Sequence, residues 1–471
     1  MRVKYPVKVL QFGEGGFLRA FVEYMIEELN EKTDFNGSVC IAKAVPFGSL
    51  DMLREQDHTY TLINRGKMNG EVINKSRIIH CVADSVGTYE DYEAFMEYAK
   101  CPTLRFIISN TTEAGIVYGP DDKLTDCPPK EYPSKLTKFL YERYCHFDGA
   151  ADKGLYMLPC ELIEENGAAL EDCVMKTARN WDLPQAFIDW LNDACAFCST
   201  LVDRIVTGYP REEAAAIEAE LGYKDNLLDV GEPFALWALQ NKKNLSEEFP
   251  LLKAGLPAAF ADSVLPYRER KVRILNGAHT STVLAGFLAG KDIVRECMED
   301  PVIFGFMKKV VLDEVVPVLP GGTENPEAFA ESVFERFANP FIAHRLLSIS
   351  LNSVSKWKAR CLCSFKDYVK ANGKLPTALT FSFAALLAFY MGHEKNGHAP
   401  YELQDNADVL EFFAELVKKD LPVAEFVDTV AKKTDFWGED LSAYEGFVPA
   451  VAGYLSDILD NGAMKAMEAV L

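Results

Sequence analysis

The fold is decided near the N-terminus by the stretch Val7-Lys-Val-Leu-Gln-Phe-Gly-Glu-Gly-Gly-Phe-Leu-Arg-Ala-Phe21. Its first residues predict a short buried strand, and the residues after the glycines predict a helix that runs to about Asn30. Between them, the glycines allow a tight turn through which the backbone can approach a pyrophosphate. The charge of that group would meet free N–H groups at the helix N-terminus. The order of strand, glycine turn and helix therefore predicts a dinucleotide phosphate site.

The glycine spacing leaves alternatives open. Gly13, Gly15 and Gly16 depart from G-x-G-x-x-G because position 18 is Leu, so a purely structural glycine turn is one alternative. A methyltransferase is another, since a glycine turn with an acid such as Glu14 also follows the first strand of those enzymes. The second predicted strand, 39–45, ends without the acid that usually binds the adenosine ribose of NAD. Asp51 lies four residues late, and Lys43 could attract a 2′-phosphate instead, so the sequence leaves NAD and NADP open.

Further along, predicted strands at 103–109 and 155–159 alternate with helical stretches, as a doubly wound sheet requires. Two more runs, 59–64 and 71–80, predict a hairpin through the turn Met68-Asn-Gly70, which we expect to extend the sheet. From about residue 263 the pattern becomes mostly helical. The predicted fold is α/β, with an extended Rossmann-type domain over residues 1–262 followed by a mostly α-helical catalytic domain over 263–471.

A second informative stretch is Lys271-Val-Arg-Ile-Leu-Asn-Gly-Ala-His-Thr-Ser-Thr282, which places an amine, a carboxamide and an imidazole within nine positions. In an α-helix, at about 100° per residue, Asn276 would lie roughly 140° and His279 roughly 80° round from Lys271, on one wall. A lysine amine that is buried loses hydration only when charged, so it can become a base for an alcohol proton. Asn276 could stabilise the alkoxide and His279 could orient it. The alternative is solvated charges and satisfied core polar groups.

Together, the two elements resemble the polyol-specific long-chain dehydrogenase/reductase family, which includes mannitol dehydrogenases and hexuronate reductases. The most specific piece is Lys271-x4-Asn276-x2-His279, and the resemblance covers nearly the whole chain. The other phrases that carry it are Gln11-Phe-Gly-Glu-Gly-Gly-Phe-Leu-Arg-Ala-Phe21, Ser109-Asn-Thr-Thr-Glu-Ala-Gly115, Leu158-Pro-Cys-Glu-Leu-Ile-Glu-Glu-Asn-Gly167, Val202-Asp-Arg-Ile205 and Val230-Gly-Glu-Pro-Phe234.

The resemblance implies a metal-independent hydride transfer between NAD(H) and a CH–OH group, with Lys271 as the base and Asn276 and His279 beside it. It implies cofactor contacts along the glycine motif, from Val9, Leu10, Gln11, Phe12, Gly13, Glu14, Gly15, Gly16, Phe17, Leu18, Arg19 and Ala20. Mannitol-oxidising members usually carry Cys-Asp-Asn where this chain has Cys160-Glu161-Leu162. That difference, with the phrases Leu158-Pro-Cys-Glu-Leu-Ile163 and Arg273-Ile-Leu-Asn-Gly-Ala-His-Thr280, favours the hexuronate-reducing members.

A hexuronate differs from a hexitol by a carboxylate, so its pocket needs a cation, and an arginine could bind that carboxylate through two hydrogen bonds. The candidates are Arg273, Arg345, Lys356 and Arg360. Any of them could instead face solvent. No count of residues distinguishes one epimer of the sugar acid from another. A hexitol substrate also stays an alternative. A non-catalytic nucleotide sensor is a further alternative, although such a protein would be expected to have lost Lys271.

Composition narrows the class of partner. The chain has 49 Lys and Arg against 70 Asp and Glu, a net charge of −21, which repels nucleic acid and anionic membranes. We expect a small-molecule partner, a cytoplasmic enzyme without a leader segment and no bound metal, with the oligomeric state open. The twelve cysteines are scattered as core thiols would be, and we expect Cys195-Ala-Phe-Cys198 to pack on a helix face. We interpret His393-Glu-Lys-Asn-Gly-His398 as a solvated loop.

Overall fold

The predicted first strand lies at the centre of a six-stranded parallel sheet in the order β5-β2-β1-β6-β7-β8. The computed structural model describes residues 4–112 and 114–471, so Glu113, within one of the motif phrases above, lies outside the described residues. The strands are β1 Val7–Phe12, β2 Ser38–Lys43, β3 Tyr60–Met68, β4 Glu71–Ile79, β5 Val82–Gly87, β6 Phe106–Ser109, β7 Tyr156–Pro159, β8 Ala196–Phe197, β9 Thr200–Asp203, β10 Asp229–Gly231, β11 Leu236–Gln240 and β12 Ala258–Ala261.

The strand order of this sheet reverses direction at β1. Successive strands run outward to β2 and β5 on one side and to β6, β7 and β8 on the other. In open parallel sheets, ligands bind beyond the carboxyl ends of the strands at such a reversal. The glycine turn follows β1 directly, so it lies at the point where a dinucleotide is expected. The predicted Rossmann-type sheet is confirmed.

Helices cover both faces of this sheet, which explains why its strands are apolar rather than alternating. All six residues of β2 are buried, and two separate apolar clusters pack around the strands. The helical segments of this part of the chain are Gly16–Leu18, Arg19–Glu23, Tyr24–Lys32, Asp51–Glu55, Tyr92–Glu97, Tyr98–Lys100, Tyr132–His146, Ala151–Lys153, Asn166–Asn180, Gln185–Ala194, Ala214–Leu221, Lys242–Asn244 and Leu245–Glu248.

The predicted hairpin is present, but its expected place in the sheet was wrong. β3 and β4 are joined at Asn69 and Gly70, whose φ angles of 54° and 79° suit a two-residue hairpin turn. These strands join β10 in a separate three-stranded sheet, and β9, β11 and β12 form another. The hairpin does not extend the central sheet because β3 pairs with β10 along one edge and with β4 along the other.

The chain divides into two compact units. One contains the residues up to Arg65 and Val72–Leu265, and the other contains Gly66–Glu71 and Pro266–Leu471. The second unit is mostly helical, as predicted. Its helical segments are Leu265–Arg270, Lys271–Asn276, Gly277–Leu288, Val294–Glu299, Pro301–Lys308, Lys309–Val315, Val316–Val318, Pro326–Phe337, Leu346–Ser350, Ser353–Arg360, Leu362–Asn372, Thr377–Tyr390, His393–Asn396, Ala407–Lys418, Val423–Ala431, Thr434–Trp437, Leu441–Ala443, Phe447–Asn461 and Ala463–Glu468.

Three π-helical turns interrupt the α-helices of the described residues, namely Arg19–Glu23, Lys271–Asn276 and Lys309–Val315. Such turns are rare in proteins, and those that occur often lie at functional sites. The first two fall inside the two stretches that the sequence singles out. Over residues 4–112 and 114–471, no helix combines the length and the apolar character that a membrane crossing requires.

Candidate active site

The glycine turn has the geometry of a phosphate-binding loop. Gly15 is extended at the start of a continuous helix that spans residues 16–32, and no side chain caps the N–H groups of its first turn. A Cβ added to Gly15 would meet nothing within 4 Å, so the turn is open on that side. Uncapped N–H groups at a helix N-terminus form an anion site. The turn therefore fits the pyrophosphate of a dinucleotide.

The other two glycines of the turn are fixed by close packing. Gly13 has a φ of +123°, and a Cβ there would lie 3.1 Å from Leu18 Cδ1 and 3.2 Å from the Asn110 carbonyl oxygen. A Cβ on Gly16 would lie 3.0 Å from Asp229 Oδ2. Only glycine avoids both the strained backbone and the contacts.

The predicted cofactor residues fall into three groups. Five have side chains in the apolar core, where they support the turn and leave any contact with a cofactor to the backbone; they are Val9, Leu10, Phe12, Leu18 and Ala20. The partly or fully exposed ones are Gly13, Glu14, Gly15, Gly16 and Phe17. Gln11 and Arg19 are buried polar residues behind the turn.

A buried polar network lies behind the glycine turn. Gln11 Nε2 donates to Glu23 Oε1 at 2.8 Å, and Tyr60 Oη donates to Glu23 Oε2 at 2.6 Å. Arg19 Nη1 donates to the Leu227 carbonyl at 2.8 Å, and its Nη2 lies 3.7 Å from Asp229 Oδ2. Burial raises the pKa of Asp229 to about 7, against the opposing effect of Arg19.

Two other motif phrases join strands to the turn region. Asn166 Nδ2 donates to the carbonyls of Pro159, Glu161 and Thr200 at 2.9 to 3.1 Å, so it ties β7 to β9. Arg204 donates to the Glu232 carbonyl at 3.0 Å and also to the carbonyl of Ala20. Asn166 and Arg204 therefore have a structural role, since their side chains hold separate segments together through hydrogen bonds to backbone carbonyls.

The catalytic stretch begins with a π-helical turn, which changes the predicted geometry. Lys271 and Asn276 are the first and last residues of that turn, and Gly277–Leu288 continues as an α-helix. Because a π-helix pairs residue i with i+5, residues five apart lie nearly above one another. The 140° separation expected for an α-helix is therefore wrong for Lys271 and Asn276, which lie closer to a common face. Both side chains are half-buried rather than buried.

His279 lies one turn further along this helix in a confined site. Its ring stacks on Phe337 with centroids 3.9 Å apart and meets the edge of His344 at 5.5 Å. Its Nε2 is buried and makes no hydrogen bond within residues 4–112 and 114–471. Burial first, then the positive field of His344, Arg360, Arg336 and Lys356, lowers the pKa of His279 well below its ordinary value. A neutral imidazole is therefore present at physiological pH, with one nitrogen available to a ligand.

Two of the predicted cations, Lys356 and Arg360, lie near His279. They are one turn apart on the helix Ser353–Arg360, and Arg360 Nη1 donates to Thr280 Oγ1 at 3.2 Å. Lys356 Nζ donates to the Ile349 carbonyl at 2.9 Å. No carboxylate of the described chain lies within 4.0 Å of either charge. Burial and then Arg360 lower the pKa of Lys356, and Asp405 opposes them only in part.

The other two predicted cations have different surroundings. Arg273 is buried, with its Nη2 2.7 Å from Asp367 Oδ2 and its Nε donating to Ser364 Oγ at 2.9 Å. Its charge is thus paired inside the helical unit, which makes it a poor candidate for a substrate carboxylate. Arg345 is exposed and precedes the helix Leu346–Ser350.

No sequence pattern singles out His344 or Phe337, because their contact with His279 joins segments that are distant in the chain. Two smaller expectations need correction. Cys195 and Cys198 flank strand β8 rather than a helix face, and burial raises their pKa values to about 12 and about 11. His398 is not a solvated loop residue, since its Nε2 lies 3.1 Å from the Phe287 carbonyl and its ring packs on Phe287.

Comparison with known proteins places both halves of this chain in one family. Residues 7–253 match the mannitol dehydrogenase Rossmann domain, and residues 263–459 match the mannitol dehydrogenase C-terminal domain. The chain belongs to the mannitol dehydrogenase family. The family resemblance inferred from the motifs is thereby confirmed, and with it an NAD-dependent oxidoreductase acting on a CH–OH group.

Relatives within the mannitol dehydrogenase family include curated altronate oxidoreductases. The one from Yersinia enterocolitica is 45% identical over 470 residues, covering 99% of this chain and 97% of the relative. The one from Escherichia coli K12 is 46% identical over 469 residues, covering 98% and 97%.

Solved structures of the family share the fold at lower identity. D-sorbitol dehydrogenase in substrate-free form has a TM-score of 0.79 at 21% identity, covering 98% of this chain and 95% of that chain. Pseudomonas fluorescens mannitol 2-dehydrogenase, in a ternary complex with NAD and D-mannitol, has a TM-score of 0.69 at 22% identity, covering 100% and 95%.

Proposed function

We propose that this chain is an NAD(H)-dependent oxidoreductase that interconverts D-altronate and D-tagaturonate. The relatives named altronate oxidoreductase, 45–46% identical over nearly the full length, support that reaction. The observation that carries the substrate class is the pair Lys356 and Arg360 near His279, two cations with no carboxylate of the described residues within 4.0 Å. A neutral polyol has no charge that could pair with these two cations, whereas a sugar acid supplies a carboxylate.

The site residues are assigned by their chemistry. The amine of Lys271 exchanges the proton of the substrate oxygen, giving it during reduction and taking it during oxidation. The amide N–H of Asn276 donates to the same oxygen as negative charge develops there. Bound NADH supplies the hydride for the ketone carbon. The π-helical turn brings the first two groups toward one oxygen, which a straight α-helix would hold farther apart.

His279 positions the substrate in this proposal. Its imidazole is neutral because burial and the surrounding cations oppose a second proton. A neutral ring can hold one hydroxyl through Nε2, the nitrogen without a partner in the described residues. Stacking on Phe337 fixes the plane of the ring, so the hydroxyl is oriented as well as bound.

The substrate carboxylate is assigned to Arg360, with Lys356 as the second charge. Thr280 Oγ1 accepts from Arg360 Nη1 and so holds the guanidinium beside His279. A Cβ on Gly277 would lie 3.5 Å from the Arg360 carbonyl oxygen, an ordinary van der Waals distance, so the helix that carries Arg360 packs directly on the start of Gly277–Leu288. In this proposal, Arg360 and Lys356 bind the carboxylate of the six-carbon acid, while Lys271 and Asn276 contact its reacting oxygen.

The test is NADH oxidation by the purified protein, followed by absorbance, with D-tagaturonate, D-fructuronate and D-fructose in parallel. We expect D-tagaturonate to be the best substrate by kcat/KM. Preference for D-fructuronate would keep the mechanism and change the epimer. Preference for D-fructose would contradict the carboxylate assignment, and no oxidation with any of the three would contradict the enzyme assignment.

A further inference from the structure

An acid lies at the edge of the sheet where the adenosine of a Rossmann cofactor is expected. It does not follow the strand that usually supplies this acid. In such folds, the acid that binds the ribose follows the second strand. Here β2 ends at Lys43, and the residues that follow, Ala44-Val-Pro-Phe-Gly-Ser-Leu50, contain no acid. The neighbouring strand β5 ends at Gly87, which pairs with Lys43, and Glu90 follows three residues later.

The carboxylate of Glu90 is held at the end of β2 by a buried cation. Lys43 is 1% exposed, and its Nζ lies 2.9 Å from Glu90 Oε1. The same Nζ donates to the carbonyls of Val45, Phe47 and Gly48 at 3.2 to 3.3 Å. Lys43 is thereby committed inside the protein, which makes it unsuitable for binding a 2′-phosphate. The ammonium group of Lys43 therefore holds both the loop after β2 and the carboxylate of Glu90, which follows β5.

Gly87 is what allows the acid to lie there. A Cβ on Gly87 would lie 2.7 Å from both Cδ and Oε2 of Glu90, so any larger residue would displace the carboxylate. Oε2 also lies 3.6 Å from Arg54 Nη2. The Glu90 side chain nevertheless stays 40% exposed, and it can therefore accept hydrogen bonds from a ligand.

The loop after β2 connects this acid to the glycine turn. A Cβ on Gly48 would lie 3.8 Å from Glu14 Oε1, and the Gly13 N–H donates to the Ala42 carbonyl at 3.4 Å. Phe47, whose carbonyl is held by Lys43, presents a side chain that is 72% exposed. An exposed aromatic ring beside an anchored carboxylate, next to a pyrophosphate turn, matches a purine base and its ribose.

We propose that Glu90, supplied by the end of β5, binds the 2′,3′-diol of the adenosine ribose and selects NADH over NADPH, with Phe47 packing against the adenine. This inference rests on the proposed function for the cofactor itself. A 2′-phosphate at that position would meet the carboxylate, and like charges in contact disfavour binding.

The test compares binding of NADH and NADPH to wild-type protein and Glu90→Gln by calorimetry or by NADH fluorescence, without any sugar acid. Loss of a hydrogen bond to a charged group at a partly exposed site predicts a Kd for NADH that rises roughly 10-fold or more, while that for NADPH stays the same or falls. Gly87→Ala should change the preference in the same direction. Glu93→Gln is the matched control, because Glu93 is exposed on the first turn of the helix Tyr92–Glu97.

An unchanged NADH to NADPH preference in Glu90→Gln would overturn the inference and leave the proposed function standing. A wild-type preference for NADPH would also overturn it, since Arg54 would then be the group that contacts the 2′-phosphate. A wild-type protein that binds neither nucleotide would refute the proposed function together with this inference.

Discussion

Replacing Arg360 by Met should change substrate choice more than catalysis. The guanidinium donates to Thr280 and has no acidic partner in the described chain, so a substrate carboxylate would be its main ionic contact. Hydrogen bonds to charged groups are worth roughly 1.5–3 kcal/mol, and we take about 2 kcal/mol because the site is half-buried. That energy corresponds to about a 30-fold loss in kcat/KM for D-tagaturonate.

The assay measures the same constants with D-tagatose, the neutral ketose that has CH₂OH in place of the carboxylate. Removing Arg360 also removes one of the charges that lower the pKa of His279, but that effect reaches both substrates equally. The ratio of the two kcat/KM values therefore isolates the carboxylate contact. Lys358→Met, on the same helix Ser353–Arg360, is the control and should keep the wild-type ratio. Equal losses of kcat/KM for the acid and the neutral ketose in Arg360→Met would contradict a contact between Arg360 and the substrate carboxylate.

Two further predictions concern the nucleotide unit. Gly13→Ala should lower the free energy of unfolding by about 1–3 kcal/mol, because φ is +123° and the new Cβ meets Leu18 and Asn110. Gly15→Ala, whose Cβ would lie in open space, should leave the free energy of unfolding unchanged. Equal melting temperatures for the two variants would contradict this prediction. Asp229→Asn should flatten the pH dependence of stability. The folded pKa of Asp229, about 7, exceeds its ordinary 3.8, so stability that is present below about pH 4 is lost as pH rises toward 7, by on the order of 2–4 kcal/mol. Thermal melts at pH 5 and pH 8 should show a smaller decrease for the variant, and an unchanged decrease would contradict the assignment.

The sequence was sufficient for the features that depend on local pattern. The strand, glycine turn and helix over residues 7–32, the hairpin turn at Asn69 and Gly70, and the change to helices all follow from apolar spacing and glycine chemistry. Other features depend on pairing between distant segments, which one-dimensional spacing does not encode. The hairpin lies outside the central sheet because β3 pairs with β10, and Lys43 at the end of β2 is bound by Glu90, which follows β5.

For the active site, the chemistry of the residues was easier to predict than their surroundings. Lys271, Asn276 and His279 are predicted from their types and spacing, but the π-helical turn from Lys271 to Asn276 has no clear sequence signature. Phe337 ends the helix Pro326–Phe337 and His344 lies in the segment after it, so their contact with His279, far away in sequence, could not be predicted. Arg273, the cation nearest to the motif in sequence, is paired with Asp367, whereas Arg360, far away in sequence, lies near His279.

We propose that Lys271 transfers the proton while the nucleotide unit binds the cofactor independently. Lys271→Ala tests it most directly, in a single-turnover measurement of NADH oxidation by D-tagaturonate at neutral pH, with NADH affinity measured on the same preparation. We expect an unchanged NADH affinity and a rate reduced by a factor on the order of hundreds or more, as loss of general acid–base catalysis requires. A rate near that of the wild type, with NADH bound normally, would contradict it.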